Sequence, residues 1–99
     1  MDIEKITELL QALSDPVRLQ IIYLLGEKGP MKVNAISANF NLSRPAISHH
    51  LKVLKNSKIV KATKKGQEVE YKFERKLLVA RIRDIADELE ACCPRGKKQ

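Results

Sequence analysis

Apolar residues recur at helical spacing along most of the chain, and they alternate with polar residues in one short segment. Near the start, Ile3, Ile6 and Leu10 share one helix face, while charged and polar residues occupy the other. The next segment opens on Asp15-Pro16, a typical helix start, and is apolar nearly all round, which predicts the most buried helix. In all, the pattern predicts helices at about residues 2–13, 16–25 and 32–39, within 42–54, and from 75 into the low nineties.

The fourth predicted helix has a clear start signal and two different faces. Ser43 is a good N-cap residue, and Pro45 falls in the first turn, where its missing N–H costs little. One side carries an apolar stripe at helical spacing, formed by Ile47, Leu51 and Leu54. The other side offers hydrogen-bond donors and no carboxylate, from Arg44, Ser48, His49, Lys52 and Lys55. This helix is therefore amphipathic, with one edge to bury and a basic, polar edge to expose.

The connection before this helix is short, and a β-hairpin is predicted after it. Asn41 tolerates the left-handed backbone of a tight turn, so the third and fourth helices should form a helix-turn-helix. Residues 59–63 are β-branched, residues 69–73 alternate apolar with polar, and a basic, glycine-containing tip at 64–67 joins them. A surface hairpin with solvating lysines is the alternative interpretation. The order of elements is that of a winged helix-turn-helix.

The predicted fold class is therefore mainly α with a small β-hairpin (α+β), with five helices and one two-stranded wing. Residues 1–93 should form a single domain, and residues 94–99 a polar tail. The first and last helices carry more apolar surface than such a small core can cover. Packing them against a second copy across a two-fold axis would bury that surface. The predicted dimer interface consists of Ile3, Ile6, Leu10, Leu78, Ile82, Ile85 and Leu89.

The charge of the chain is concentrated in its middle. The formal net charge is +7, and no Asp or Glu occurs between Glu27 and Glu68. A block this one-sided is typical of a protein that binds a polyanion. A short basic helix with exposed donors suits the major groove of DNA, where side chains reach base edges and phosphates. An ordinary solvated face is the alternative. The candidate DNA-binding residues are Arg44, Pro45, Ser48, His49, Lys52, Lys55, Lys64, Lys65 and Gln67.

Three motifs, in this order, resemble the ArsR/SmtB family of winged-helix repressors. Residues 12–22 resemble the family's Asp-Pro-x-Arg entry, residues 42–54 its recognition-helix signature, and residues 65–71 its wing. The resemblance implies a homodimer that binds a near-palindromic double-stranded operator and represses transcription. Members of the family commonly release DNA when a metal ion or another small effector binds.

The metal sites of that family are not matched by this sequence. The third helix has no Cys, and the last helix has no His. Two adjacent soft ligands remain, Cys92 and Cys93, which are a possible thiol sensor for a soft metal, a metalloid such as As(III), or an oxidant. Alternatively, Cys92 packs as a small apolar residue and Cys93 is an incidental surface thiol. No metal site or cofactor is certain, and both interpretations stay open.

The two histidines are adjacent on the fourth helix, so they diverge by about 100° and do not form a chelate. His49 should face outward as a DNA-contact candidate, and His50 should be satisfied locally. With both histidines there, neither a Ser-His-Asp nor a Cys-His arrangement can be assembled, so we expect no enzyme. No apolar run approaches the length needed to span a membrane, and no targeting segment is visible, which predicts a cytoplasmic protein.

Scarce aromatic residues argue against a single-strand binder, which uses them as stacking platforms. Double-stranded RNA is disfavoured because a helix cannot enter its narrow major groove. The serious rival is a winged helix that binds another protein, which would need an exposed apolar recognition face.

Overall fold

In a computed structural model of the chain, residues 2–92 are described. They form five helices and three strands. The helices are α1 (Ile3–Leu13), α2 (Pro16–Lys28), α3 (Val33–Ser37), α4 (Arg44–Asn56) and α5 (Arg75–Cys92). The strands are β1 (Met31–Lys32), β2 (Val60–Lys65) and β3 (Glu68–Phe73). The mainly helical winged architecture predicted from the sequence is confirmed over these residues.

The sheet has three strands rather than the two that we predicted. Its order is β1-β3-β2, and both pairings are antiparallel. In β1, Met31 pairs with Tyr71 and Lys32 pairs with Glu70, along the free edge of β3. A strand of two residues has no readable period, and its partner lies 38 or more positions away in the chain. The predicted start of the third helix at Lys32 was therefore wrong, because that residue belongs to the sheet.

The second helix ends later than its sequence indicated, and one side of it is exposed. It continues through Gly26 to Lys28, and Gly29 ends it with a φ of 85°, a backbone conformation that favours glycine. Leu19 and Tyr23 are 41% and 77% exposed, so one side of this helix is open to solvent even though Ile21, Ile22 and Leu25 are buried. These two apolar side chains need cover from outside the chain or remain in water.

The core lies between α4 and the helices packed against it, α1, α2 and α3. On α4 the whole apolar stripe is inaccessible to solvent, as predicted, and it packs against α1 and α2 residues such as Leu9 and Ile21. Each such side chain contributes about 1.5–3 kcal/mol by leaving water. The buried apolar residues of the described chain are Leu9, Ala12, Ile21, Ile22, Leu25, Ile36, Ile47, Leu51, Leu54, Ile59, Val60 and Leu78.

The last helix extends away from the rest of the molecule, so most of its apolar stripe is exposed. Leu78, in its first turns, is only 6% exposed, whereas Ile82 and Leu89 on the same face are 43% and 56% exposed. The radius of gyration is 16.0 Å, against about 13 Å for a compact chain of this length. The extents of 55 × 24 × 24 Å describe an elongated molecule. Most of the α5 stripe therefore finds no cover within the described chain.

Candidate nucleic-acid interface

The N-terminus of α4 is fixed by local hydrogen bonds. The Ala46 N–H donates to Ser43 Oγ at 3.2 Å, the N-cap contact that the sequence predicted, and Pro45 lies in the first turn. The preceding turn differs from our prediction. Lys58 is the one non-glycine residue with a positive φ among residues 2–92, so Asn41 is not left-handed. The end of α3 is instead held by Asn39, whose side-chain amide donates to the Ala35 carbonyl at 2.9 Å.

The side of α4 that faces away from the core is basic and open to solvent. Its apolar stripe is fully buried, and this fixes the rotation of the helix about its axis. The exposed residues of the helix include all six that we had assigned to DNA contact, namely Arg44, Pro45, Ser48, His49, Lys52 and Lys55. No carboxylate occurs anywhere between Arg44 and Asn56, so nothing on this helix opposes an approaching polyanion.

The wing presents a second basic surface. β2 and β3 pair from Val60↔Phe73 to Lys65↔Glu68, and the turn at Gly66 has a φ of 65°. The three predicted contact residues of the tip, Lys64, Lys65 and Gln67, are all exposed. Glu68 at the tip is paired with Lys32 of β1, Nζ to Oε2 2.9 Å, and this hydrogen bond raises the pKa of Lys32. The ion pair offsets the negative charge of Glu68 within the wing.

One arginine of α2 joins three helices beneath this surface. The Arg18 guanidinium donates from Nε to the Ala12 carbonyl at 2.7 Å and from Nη2 to the Gln11 carbonyl at 3.1 Å. Its Nη1 lies 3.1 Å from Nδ1 of His50 on α4. His50 therefore has a hydrogen-bond partner, as expected, but that partner is on α2 and not in its own segment of the chain. Asp15 Oδ2 accepts the Arg18 backbone N–H at 3.0 Å and lies 3.9 Å from His50 Nδ1.

The Asp15 carboxylate caps α2 and is held in its charged form. The backbone N–H of Arg18 is the main cause of the lowered pKa of Asp15, with smaller contributions from the charges of His50 and Arg18. Burial opposes them and raises the pKa, but by less than they lower it. The carboxylate thus stays ionised well below neutral pH.

A second arginine connects α5 to the far end of α4. Arg81 Nη1 donates to the Ser57 carbonyl at 2.6 Å, at the C-cap of α4. The chain then turns through Lys58, whose φ is 59°, with Ile59 N–H donating to the Leu54 carbonyl at 2.9 Å. Neither Arg81 nor the Arg18 contact was predicted from the sequence. Arg18 belongs to the Asp-Pro-x-Arg motif, which was a signal, whereas nothing in the sequence marks Arg81.

The candidate sensor lies at the edge of the described chain. Cys92 is exposed in the last described turn of α5, whereas Cys93 and the predicted polar tail lie outside the described residues. Within 2–92, no cluster of three or more His, Cys, Asp or Glu side chains is placed to hold a metal ion. No helix of the same region is long and apolar enough to cross a membrane.

Comparisons with known proteins agree with this geometry. The family model described as "Bacterial regulatory protein, arsR family" matches residues 15–62. An HTH-type transcriptional regulator of Methanocaldococcus jannaschii is 48% identical over 63 residues, which cover 64% of this chain and 71% of that protein. The chain belongs to the ArsR family. Another relative is the transcriptional repressor SdpR of Bacillus subtilis, 40% identical over 68 residues that cover 69% of this chain and 74% of that one.

A solved ArsR-family structure has the same fold. The crystal structure of the regulator RHA00566 superposes with a TM-score of 0.77, at 25% identity, over 93% of this chain and 94% of that chain. The resemblance found in the sequence motifs is thus confirmed. As an ArsR-family protein, the chain is a DNA-binding transcriptional regulator and not an enzyme.

Proposed function

We propose that this ArsR-family protein is a homodimeric repressor that binds a near-palindromic operator in double-stranded DNA. The observation that carries the proposal is the exposed, carboxylate-free face of α4, whose rotation is fixed by a fully buried stripe on its other side. A helix of this kind fits the major groove with its first turns at the base edges. The Bacillus subtilis relative carries the name repressor, which supports the same direction of regulation. We propose that the protein acts in the cytoplasm, because DNA is its partner.

The exposed residues divide into three proposed roles. Ser48 and His49 lie one turn inside α4 and read base edges, and Arg44 binds either a base or a phosphate. Lys52 and Lys55 lie further along the helix and bind phosphates, as a flexible ammonium does without sequence preference. Pro45 packs against the backbone or a thymine methyl. The wing residues Lys64, Lys65 and Gln67 contact the neighbouring backbone or minor groove.

The dimer is proposed from the uncovered apolar surface. Ile3 and Leu10 of α1 and Ile82 and Leu89 of α5 are exposed, and Ile6 and Ile85 are half-buried. Burying such surface between two copies is favourable by about 25 cal/mol per Å². Leu78, which we had placed in this interface, packs within the chain's own core and has little surface left for a partner. Two copies would present two α4 helices to two half-sites.

Salt dependence tests DNA binding and its proposed contacts together. We expect affinity for a selected operator to fall by about a thousandfold or more between roughly 50 and 200 mM salt, because each phosphate contact releases counterions. The operator is obtained by letting the wild-type protein select duplexes from a randomised library, and affinity is measured by fluorescence anisotropy.

A matched pair of lysine variants sharpens this test. Lys52→Ala should reduce the slope of log affinity against log salt by about one, while Lys76→Ala, exposed at the start of α5, should leave the slope unchanged. Equal slopes for the two variants would contradict the assignment of Lys52. A flat salt response together with no selected duplex would favour a winged helix that binds protein.

For the effector, we propose thiol chemistry at the end of α5. Cys92 is exposed there, and with Cys93 next to it in the sequence it forms a pair of soft ligands. A soft metal ion, an As(III) species or an oxidant that reacts with these thiols would alter the helix proposed to join the two subunits. Such coupling between two sites typically amounts to about 1–3 kcal/mol.

We therefore expect the wild-type protein to lose about five- to 150-fold in operator affinity with at least one thiophilic or oxidising agent. The double variant Cys92→Ser, Cys93→Ser should bind the operator as wild type does and ignore that agent. The measurement is anisotropy with and without arsenite, Zn²⁺, Cu(I) or hydrogen peroxide. A response in the double variant equal to that of wild type, or none in either protein, would make the cysteines incidental.

A further inference from the structure

His50, the histidine of α4 that faces the body of the molecule, is within hydrogen-bond distance of an arginine on α2. His50 is half-buried, and its Nδ1 lies 3.1 Å from Arg18 Nη1. The same guanidinium holds the carbonyls of Gln11 and Ala12, which end α1. Through this one side chain, the last turn of α1, the first turn of α2 and the middle of α4 are joined. The contact lies in the same turn of α4 as Ser48 and His49, the proposed base-reading residues.

The Arg18 contact is compatible with only one form of the His50 ring. A guanidinium has five donors and no acceptor, so the Nδ1 that faces it must accept. A ring that accepts at Nδ1 is neutral and carries its proton on Nε2. A ring protonated on both nitrogens cannot accept from Arg18, and its positive charge would face the guanidinium at about the same distance. The Arg18 contact therefore exists only while His50 is neutral.

We propose that His50 is a positioning residue for operator recognition. Its neutral imidazole accepts from Arg18 and so sets the orientation of α4 against α1 and α2, and protonation breaks this hydrogen bond and weakens recognition of the selected sequence. The inference rests on the proposed function, since it concerns how well the base-reading turn is held. Contacts to base edges need side chains placed to within about 0.5 Å, which only a firmly held helix provides.

The groups that face His50 determine the direction of the pH effect. On α2 they are Arg18 and the Asp15 carboxylate, 3.9 Å from Nδ1, and on α1 the neighbouring groups of the Arg18 network are carbonyls, which do not titrate. On α4 the neighbour is His49, with ring centroids 5.9 Å apart. Asp15 stays charged above pH 5 because its pKa is lowered, chiefly by the Arg18 backbone N–H. A protonated His50 would lose the Arg18 hydrogen bond, and with it the link from α4 to the α1 carbonyls that Arg18 holds.

The test compares two replacements of His50 over pH 5.5–8.5, the range in which histidine side chains change charge. Asparagine at position 50 keeps an acceptor near the place of Nδ1 but cannot be protonated, whereas alanine removes the acceptor. Affinity is measured by anisotropy for the selected duplex and for a scrambled duplex of the same length and composition. All three proteins contain His49, so the differences between them report on position 50.

At pH 8 we expect His50→Asn to bind the selected duplex within about twofold of wild type, and His50→Ala to bind it about three- to tenfold more weakly, the value of one such hydrogen bond. The affinities of the three proteins for the scrambled duplex should differ by less than about twofold. When the pH is lowered to 5.5, the affinity of wild type for the selected duplex should fall about three- to tenfold relative to that of His50→Asn. A purely structural role would not give this pH-dependent ratio, nor rescue by asparagine.

A ratio of wild type to His50→Asn that stays flat with pH would overturn the inference, as would equal losses of His50→Ala on both duplexes. Should His50→Ala fail to fold, which thermal unfolding reports, the pH dependence of wild type against His50→Asn still decides. If no duplex emerges from the selection, the proposed operator function fails, and the positioning role fails with it. A selected duplex with a flat ratio overturns the role of His50 alone.

Discussion

Leu89→Glu should give a monomer that binds the selected operator at least about a hundredfold more weakly than wild type, because the linkage of two half-site contacts is lost. Leu89 is 56% exposed on the α5 stripe, so a carboxylate there costs the isolated chain little. In the proposed dimer the same carboxylate would be buried against apolar side chains, at a cost of several kcal/mol. Sedimentation velocity measures the mass, and anisotropy measures the affinity.

Ala80→Glu is the matched control, because it adds the same charge to the same helix. Position 80 is exposed and lies about 180° around the helix from Leu89. This variant should remain dimeric and bind the operator within about twofold of wild type, since surface substitutions are usually worth less than ±0.5 kcal/mol. A Leu89→Glu monomer that still bound the operator at wild-type strength would refute a dimer built on α5.

His49→Ala should lose about 1–3 kcal/mol of discrimination between the selected operator and a scrambled duplex. His49 is exposed on the face of α4 opposite the buried stripe, where its ring can reach a base edge in the major groove. The quantity to measure is the ratio of the two affinities at fixed salt and pH, because the affinity for either duplex alone also contains phosphate contacts.

Lys64→Ala provides the comparison, since Lys64 lies on the wing and is assigned to the DNA backbone. It should weaken binding to both duplexes alike and leave their ratio unchanged. The opposite result would be an unchanged ratio for His49→Ala and a reduced ratio for Lys64→Ala. In that case the wing would read the sequence, and α4 would only position the wing on the DNA.

The recognition helix was predictable because its signals are local. The Ser43 cap, Pro45 in the first turn and a stripe at helical spacing lie within a dozen residues, and together they fix both the start and the rotation of α4. The same holds for the hairpin, whose turn contains Gly66 in the left-handed region. Once α4 is fixed, the exposure of the proposed DNA contacts on this helix follows from periodicity alone.

Contacts between distant segments were not predictable. The Arg18–His50 hydrogen bond joins residues 32 positions apart, and Arg81–Ser57 joins residues 24 apart. Neither leaves a pattern in a single sequence, because many other polar residues would have fitted the helical periods equally well. For the same reason, the sequence did not show that one part of the α5 stripe is buried and the other exposed. Leu78 and Leu89 are equivalent by spacing, and only the direction in which α5 leaves the body makes one core and the other surface.

The short strand β1 has a mechanical consequence for operator choice. It attaches the entrance of α3 to the central strand of the wing, through Met31↔Tyr71 and the Lys32–Glu68 ion pair. The wing and the helix-turn-helix should therefore move little relative to each other and contact DNA as one rigid unit. In the proposed dimer, tolerance of operators with different half-site separations would then reside in the α5 junction between subunits. The affinity for operators that differ in the spacer between the half-sites, rather than in half-site sequence, would report on the stiffness of that junction.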